Sequence, residues 1–422
     1  MSDHNDDLPE IPDPLYDLGV TKPTPTPAPA PARASAPAPA PEVEEDEYSD
    51  AVDIPEPVQA YVPPPPRDSP HKDKFDSAIQ MAFVGAGQGG GRIADSFYNF
   101  GYRRVCAVNT TQQDLKGLKM PEDRKLLMGK TVKGGAGKDP SQGEAAARES
   151  YEDVMDHLMR SWGEGAEYLY VCVGGGGGSG SGSWPVLLDA MREYAESTNI
   201  EKPFYKHLGV ILTLPKKSEG SRVQRNALAA VNTALQLLKD EKISSLVLVD
   251  NSKIHELYPG LPVKMFWKIA NDTFTGIFHT FNLLAAKDSE YNTFDCADYR
   301  SVVQNGLMIF GRTKVDSWRG KEDISQAVRQ NLAGSLLADG FDLSKANMAG
   351  AVVVAHDDVL GEIPMENIDY AFNSLGRVLG NEGITLHNGI YEGKQPGMQV
   401  LTIISGLEPP ESRMKYLEDK SK

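Results

Sequence analysis

The sequence predicts an α/β protein: a doubly wound parallel sheet with crossover helices, one long helix, and then a smaller α/β unit. From about residue 78, short apolar runs alternate with longer amphipathic segments, the pattern of parallel strands joined by helices. Glycine-rich turns follow two of those runs directly, at the position where open α/β sheets bind ligands. A helical apolar pattern over 263–286 has no internal break and exceeds an ordinary crossover.

The first 76 residues differ from the rest. They hold 18 of the 29 prolines, and their 17 acids and 5 basic residues carry −12 of the net charge of −16. Such a composition buries too little apolar surface to offset chain entropy, so a disordered, partly polyproline-like acidic arm is expected over 1–76. Strands are expected at 80–86, 103–110, 168–174, 207–214 and 244–251, with helices at 141–162 and 221–240 between them. These form a first domain over 77–260, followed by a central connecting helix over 261–288. The runs NGLMIFGR, AGAVVVAH, GITLHNGIY and MQVLTIISGL alternate with two helices and define a smaller α/β domain over 289–407. A short polar tail, expected to be mobile, covers 408–422.

No apolar stretch reaches the ~20 residues of a membrane span, and no secretory signal pattern opens the chain, so a cytoplasmic protein without membrane insertion is expected. The three cysteines lie far apart and the eight histidines lack metal-ligand spacing, which argues against a disulfide framework or a zinc site. No basic, aromatic-interleaved patch points to direct nucleic-acid binding.

The glycine turns are GAGQGGGR (85–92) and GGGGGSGSG (174–182). Glycine costs roughly 0.5–1 kcal/mol relative to alanine in an ordered element, so such runs persist where something must approach the backbone. Bare N–H groups at a helix N-terminus hold anions, and two such turns on one sheet edge imply a polyphosphate. The hydroxyls of Ser179 and Ser181 add donors. Gly85, Gly87 and Gly90 also satisfy the dinucleotide pattern GxGxxG, but the next strand ends in Asn109 rather than the acid that grips a ribose. GGAGKDPS (134–141) has Val132 and Asp139 where a P-loop needs Gly and Ser or Thr, so it is not a Walker motif.

Together these motifs resemble the tubulin/FtsZ family of polymerising GTPases over about residues 78–407. The family's signature loop corresponds to Gly176, Gly177, Gly178, Ser179, Gly180, Ser181 and Gly182, with Ser at both hydroxyl positions. The resemblance implies the tubulin/FtsZ fold: a Rossmann-like doubly wound GTPase domain, a long central helix and a smaller α/β activation domain. GAGQGGGR, with Gly87, Gly89 and Gly90, resembles the first phosphate loop. AVNTT, with Asn109, resembles the second, and GGAGKDP, with Gly135, Ala136 and Gly137, the third. Glu219 is implied at the ribose. Arg222 follows it by three residues, where the family's arginine usually follows by four. Asn251 and Asn271 are implied as readers of the guanine edge, with Trp267 stacking on the base.

FDCADYR (294–300) resembles the family's catalytic loop, which implies Asp295 and Asp298 as the acids that polarise a water toward a neighbour's γ-phosphate. The family's Asn, two residues before the first acid, is Thr293 here, with Asn292 one step earlier. The resemblance further implies GTP/GDP and Mg²⁺ as cofactors, a head-to-tail homopolymer, and a role in cell division or in DNA or phage positioning. The Pro-rich arm could dock an adaptor or act as a spacer. Two other readings stay open from the residues: an NAD(P)-dependent oxidoreductase, suggested by GxGxxG, and a nucleotide-binding scaffold without turnover, suggested by Thr293.

Overall fold

The computed structural model describes residues 70–130, 134–257, 260, 262–334, 340–380 and 383–422. Nearly all of the expected N-terminal arm lies outside the described residues. Its last seven, 70–76, pack on the body: Asp73 is 5% exposed and accepts from the Arg103 N–H at 2.8 Å, so the folded chain starts earlier than the composition suggests.

In chain order the first half runs β1 (Met81–Ala86), α1 (Gly87–Asn99), β2 (Val105–Asn109), α2 (Gln112–Lys116), β3 (Lys125–Leu127), α3 (Pro140–Glu149), α4 (Tyr151–Trp162), β4 (Tyr168–Gly174) and α5 (Ser179–Ser197). It continues through β5 (Leu208–Leu214), α6 (Ser221–Lys239), β6 (Ser245–Asp250), α7 (Asn251–Leu257) and α8 (Val263–Leu284). The second half runs α9 (Cys296–Val303), β7 (Gly306–Val315), α10 (Asp323–Gly334), β8 (Met348–Ala355), α11 (Asp357–Leu360), α12 (Met365–Val378), β9 (Thr385–Glu392), β10 (Met398–Leu407) and α13 (Glu411–Ser421).

The strands form one sheet in the order β3-β2-β1-β4-β5-β6-β7-β10-β8-β9. From β3 to β6 all pairings are parallel. Their apolar runs are buried, as a sheet covered on both faces by crossover helices requires. β7 pairs parallel with β6 over three residue pairs, while β10 runs antiparallel to both β7 and β8, so the strands of both expected domains share one sheet. The strand order reverses at β1, between β2 and β4, which opens a crevice at their carboxyl ends.

α8 fixes the two ends of the molecule. The Asn282 amide, near its C-terminus, donates to Ile79 O at 3.1 Å and accepts from the Ile79 N–H at 2.9 Å. Ile79 lies just before β1, so the C-terminal end of α8 sits at the start of that strand and its N-terminal end lies toward the crevice. Phe278 packs edge-on against Phe83, Phe97 and Tyr170 in the core beneath. Among the described residues no helix is long and apolar enough to cross a membrane.

Two elements depart from the sequence expectation. The helix expected over 141–162 breaks at Ser150, whose Oγ accepts from the Gly129 N–H at 2.9 Å. The polar tail contains α13, packed on α6 with Leu417 fully buried.

Candidate functional site

The turns after β1 and β4 lock into each other backbone against backbone. A Cβ on Gly90 would stand 1.9 Å from Cys172 O, and one on Gly87, at φ +67°, would stand 2.6 Å from Gly180 N. The 134–139 turn closes on them: a Cβ on Gly178 would meet Asp139 N at 2.6 Å. α5 starts at Ser179, so its unpaired N–H groups and positive dipole end face the crevice. Ser179 Oγ bonds Thr110 Oγ1 at 2.6 Å. Ser181, expected as a ligand donor, turns back to Gly174 O at 3.2 Å and to Gly175 O, stapling its own loop.

The three turns enclose a cavity of about 370 Å³, within the range of small-molecule sites. Of the residues singled out from sequence, Gly89, Gly135, Ala136, Gly137, Gly176, Gly177, Gly178, Ser179, Gly180, Glu219, Asn251, Trp267 and Asn271 line it. Four do not. Gly87 and Gly90 allow the backbone packing just described. Asn109 is buried behind the wall, where Nδ2 donates to Asp114 Oδ2 at 3.2 Å and Oδ1 accepts from the Thr111 N–H at 3.3 Å. Thr111 and Asp114, which it braces, are on the wall. Arg222 is exposed at the start of α6, close enough to Asp139 to help hold that carboxyl below its usual range, after the larger effect of the Ser141 hydrogen bonds.

Sequence reading missed Gln88, Arg92, Thr111, Asp114 and Lys138 on the wall. Gln88, Arg92 and Lys138 belong to the quoted loops, so treating each loop as a unit would have found them. Gln88 Nε2 donates to Asp114 Oδ1 at 2.7 Å. The Arg92 guanidinium lies 5.5 Å from the Trp267 ring centroid and Lys216 Nζ 6.0 Å from it. Trp267 and Asn271, four residues apart, share one face of α8. Glu219 Oε1 accepts from the Lys216 N–H at 2.9 Å, which fixes its loop.

Asp295 and Asp298 do not line this cavity. Asp295 caps α9: its Oδ1 accepts from the Asp298 N–H at 2.9 Å, and Asp298 Oδ2 accepts in return from the Asp295 N–H at 3.3 Å. This is a reciprocal capping box. The Thr293 hydroxyl accepts from the Ser289 N–H at 3.2 Å. Cys296 Sγ donates to Ala78 O at 2.9 Å, and Arg300 pairs with Glu167 at 2.8 Å. Ala78 precedes β1 and Glu167 precedes β4, so α9 sits at the amino ends of the strands whose carboxyl ends carry the glycine loops. Seven residues of β4 separate those ends, roughly 20 Å. Among the described residues no cluster of three or more metal-binding side chains occurs.

A profile described as the Tubulin/FtsZ family, GTPase domain, matches residues 80–259. The cell division protein FtsZ 1 of Pyrococcus woesei is 30% identical over 293 residues, 68% of this chain and 72% of that protein. The tubulin-like protein CetZ of Pyrococcus abyssi is 27% identical over 339 residues, 78% of this chain and 86% of that one. The fold is similar to that of a TubZ protofilament in its GTPγS form from Bacillus thuringiensis serovar israelensis, with a TM-score of 0.70 at 18% identity over 82% of this chain and 92% of that one. With this kinship beside the interlocked glycine loops and the mixed ten-stranded sheet, the chain belongs to the tubulin/FtsZ family of GTPases.

Proposed function

We propose that the chain binds GTP in the crevice at the β1/β4 carboxyl ends and hydrolyses it when subunits stack head to tail into filaments. The observation that carries this reading is the placement of the glycine loops and the acid pair at opposite ends of the same strands. Asp295 and Asp298 are far from their own cavity, so they serve the site of the next subunit. A contact between two different faces does not close on itself and propagates as a filament. The TubZ and CetZ structures with GTPγS, both described as protofilaments, support this.

In this reading the phosphates lie on the N–H groups of Gly89, of Gly135 to Gly137 and of Gly176 to Gly180, at the positive end of α5. Trp267 stacks on the base, Asn251 and Asn271 read its edge, and Glu219 accepts from the ribose. Mg²⁺ fits as an ion held mainly by phosphate oxygens with few protein ligands. Asp114 is the carboxylate on that part of the wall, and the ion would neutralise β and γ oxygens. Phosphoryl transfer asks the protein for positioning and charge stabilisation: the loops hold the nucleotide, and the neighbour's acids orient the attacking water.

The cellular task is a filament in division or in DNA or phage positioning, since the kinship reaches proteins named for cell division and for plasmid segregation. The chain acts in the cytoplasm, and the N-terminal arm serves as a spacer or as a dock for an adaptor.

The test is GTP turnover per subunit across a wide protein concentration range. It rises with concentration and disappears in Asp298→Ala, while that variant still binds GTP. A rate per subunit independent of concentration would reject assembly-dependent hydrolysis, and GTP binding without turnover at any concentration would leave a nucleotide-binding scaffold.

A further inference from the structure

His387 belongs to β9, far along the chain from the acid loop, and is mostly covered. Its Nδ1 stands 2.7 Å from Asp298 Oδ1, with side-chain exposures of 20% and 28%. Its Nε2 faces Ser301 Oγ at 3.3 Å, and that hydroxyl donates to the backbone O of Asp298 at 2.7 Å. The ring thus touches α9 at two points one turn apart, while Phe294, one residue before Asp295, lies in a T-shaped arrangement with its ring centroid 6.5 Å from that of the imidazole. With Oδ2 of Asp298 accepting from the Asp295 N–H, each carboxylate oxygen of Asp298 has a defined partner. The backbone around the ring leaves little freedom: Cβ atoms on Gly350 and Gly389, in β8 and β9, would stand 2.9 and 2.8 Å from Phe294 atoms.

We propose that His387 is a positioning residue for hydrolysis, fixing the Asp298 carboxylate in the orientation that the next subunit's nucleotide requires. The proposal rests on the head-to-tail reading above. The capping box alone leaves Asp298 Oδ1 without a partner, and a carboxylate held at one oxygen still rotates about its side-chain bonds. The imidazole removes that freedom before the subunits meet. It does so from a different element of the sheet, so the acid's position is tied to the strands rather than to its own loop. Misplacing a reacting group by an ångström costs on the order of a hundredfold in rate, which sets the scale of the effect.

The experiment uses the full chain with GTP. Turnover per assembled subunit, KM for GTP and sedimentable polymer are measured for wild type, His387→Ala, His387→Asn, His387→Gln and Asp298→Ala. Asn places an amide nitrogen where Nδ1 stands, whereas Gln places one nearer Nε2. His387→Ala is expected to lower kcat roughly ten- to a hundredfold, with KM and polymer mass unchanged. His387→Asn restores most of the rate and His387→Gln does not. Wild-type kcat in assembled His387→Ala, or equal loss in the Asn and Gln variants, would overturn the proposal. Should His387→Ala fail to fold, the Asn-to-Gln contrast decides alone. Full turnover in Asp298→Ala polymer would instead reject the reading of the acid loop itself, whatever His387 does.

Discussion

The Arg413 guanidinium, on the C-terminal helix, stands 2.8 Å from the Asp250 carboxylate at the end of β6, with side-chain exposures of 6% and 15%. Arg413 also donates to Pro215 O, and Tyr416 donates to Lys217 O at 2.8 Å. Asp250 is followed by Asn251, and Pro215 and Asn251 both line the cavity between the glycine loops. The helix therefore braces one wall of the site from behind. Burial pushes the Asp250 carboxyl above its usual range and Arg413 works against that rise, so the pair is needed to keep the charge there.

Removing one partner of a buried pair leaves an uncompensated charge and costs about 3–5 kcal/mol. Arg413→Ala is expected to lose stability of that order and to bind GTP more weakly, read as a shifted urea midpoint and a raised Kd. Tyr416→Phe removes one exposed hydrogen bond and costs only about 0.5–1.5 kcal/mol. An Arg413→Ala protein with unchanged GTP affinity would show that the brace does not reach the site.

Two glycines separate folding from binding. Gly90→Ala forces a Cβ to within 1.9 Å of Cys172 O, backbone against backbone, and is expected to prevent native folding. A Cβ on Gly177 meets nothing closer than 3.8 Å, so Gly177→Ala should fold normally and lose affinity only because the methyl enters the cavity. Circular dichroism and GTP titration of the two variants test this. A Gly177→Ala protein with wild-type affinity would remove that residue from the phosphate cradle.

The fold was legible wherever a segment's own pattern decides its structure. β1, β4, β5 and β6 are continuous apolar runs buried on both faces, and they fall within a residue of their expected positions. The break at Ser150 was not legible because the Gly129 N–H that its hydroxyl accepts from arrives from another segment. The tail read as mobile because Arg413 looks like any surface arginine until β6 supplies Asp250. In the site, the glycine loops declare themselves by composition, whereas the Asn109 amide, which the resemblance points toward the ligand, is occupied with Asp114 and Thr111. His387 carried no local signal at all, since its partner Asp298 lies on a different element.

Trp267 lines the cavity with a cation on each of two neighbouring elements, Arg92 on α1 and Lys216 after β5. Stacking of a base on an aromatic ring is worth about 1–3 kcal/mol. Trp267→Ala should weaken GTP binding by that amount, roughly five- to 150-fold in Kd, and Trp267→Phe should recover most of it. Asn271→Ala should instead reduce the preference for GTP over ATP in competition. An equal loss toward both nucleotides would argue that Asn271 does not read the base.

Two covered histidines should destabilise the fold in acid. Burial lowers His279 to about 4, and burial chiefly lowers His157 to about 4 as well. Both rings are neutral in either state above the ordinary value near 6.5. As pH falls from there toward 4, the unfolded chain takes up protons that the folded one refuses, so stability is lost, up to about 3 kcal/mol for each ring. Asp73 works in the opposite sense: burial raises it to about 6, so the folded state binds its proton first and gains stability over nearly the same interval. Burial raises Asp95 and Asp250 as well, so the buried carboxyls offset part of the histidine loss and a single-ring substitution is needed to isolate it. His279 stacks on Phe100 and meets Phe75 edge-on, with Nδ1 unpartnered among the described residues, so Leu can replace it without stranding a hydrogen bond. Between pH 7.5 and 4.5 the urea midpoint should fall further in wild type than in His279→Leu. An equal fall in both proteins would mean that the His279 proton is not what destabilises the fold in acid.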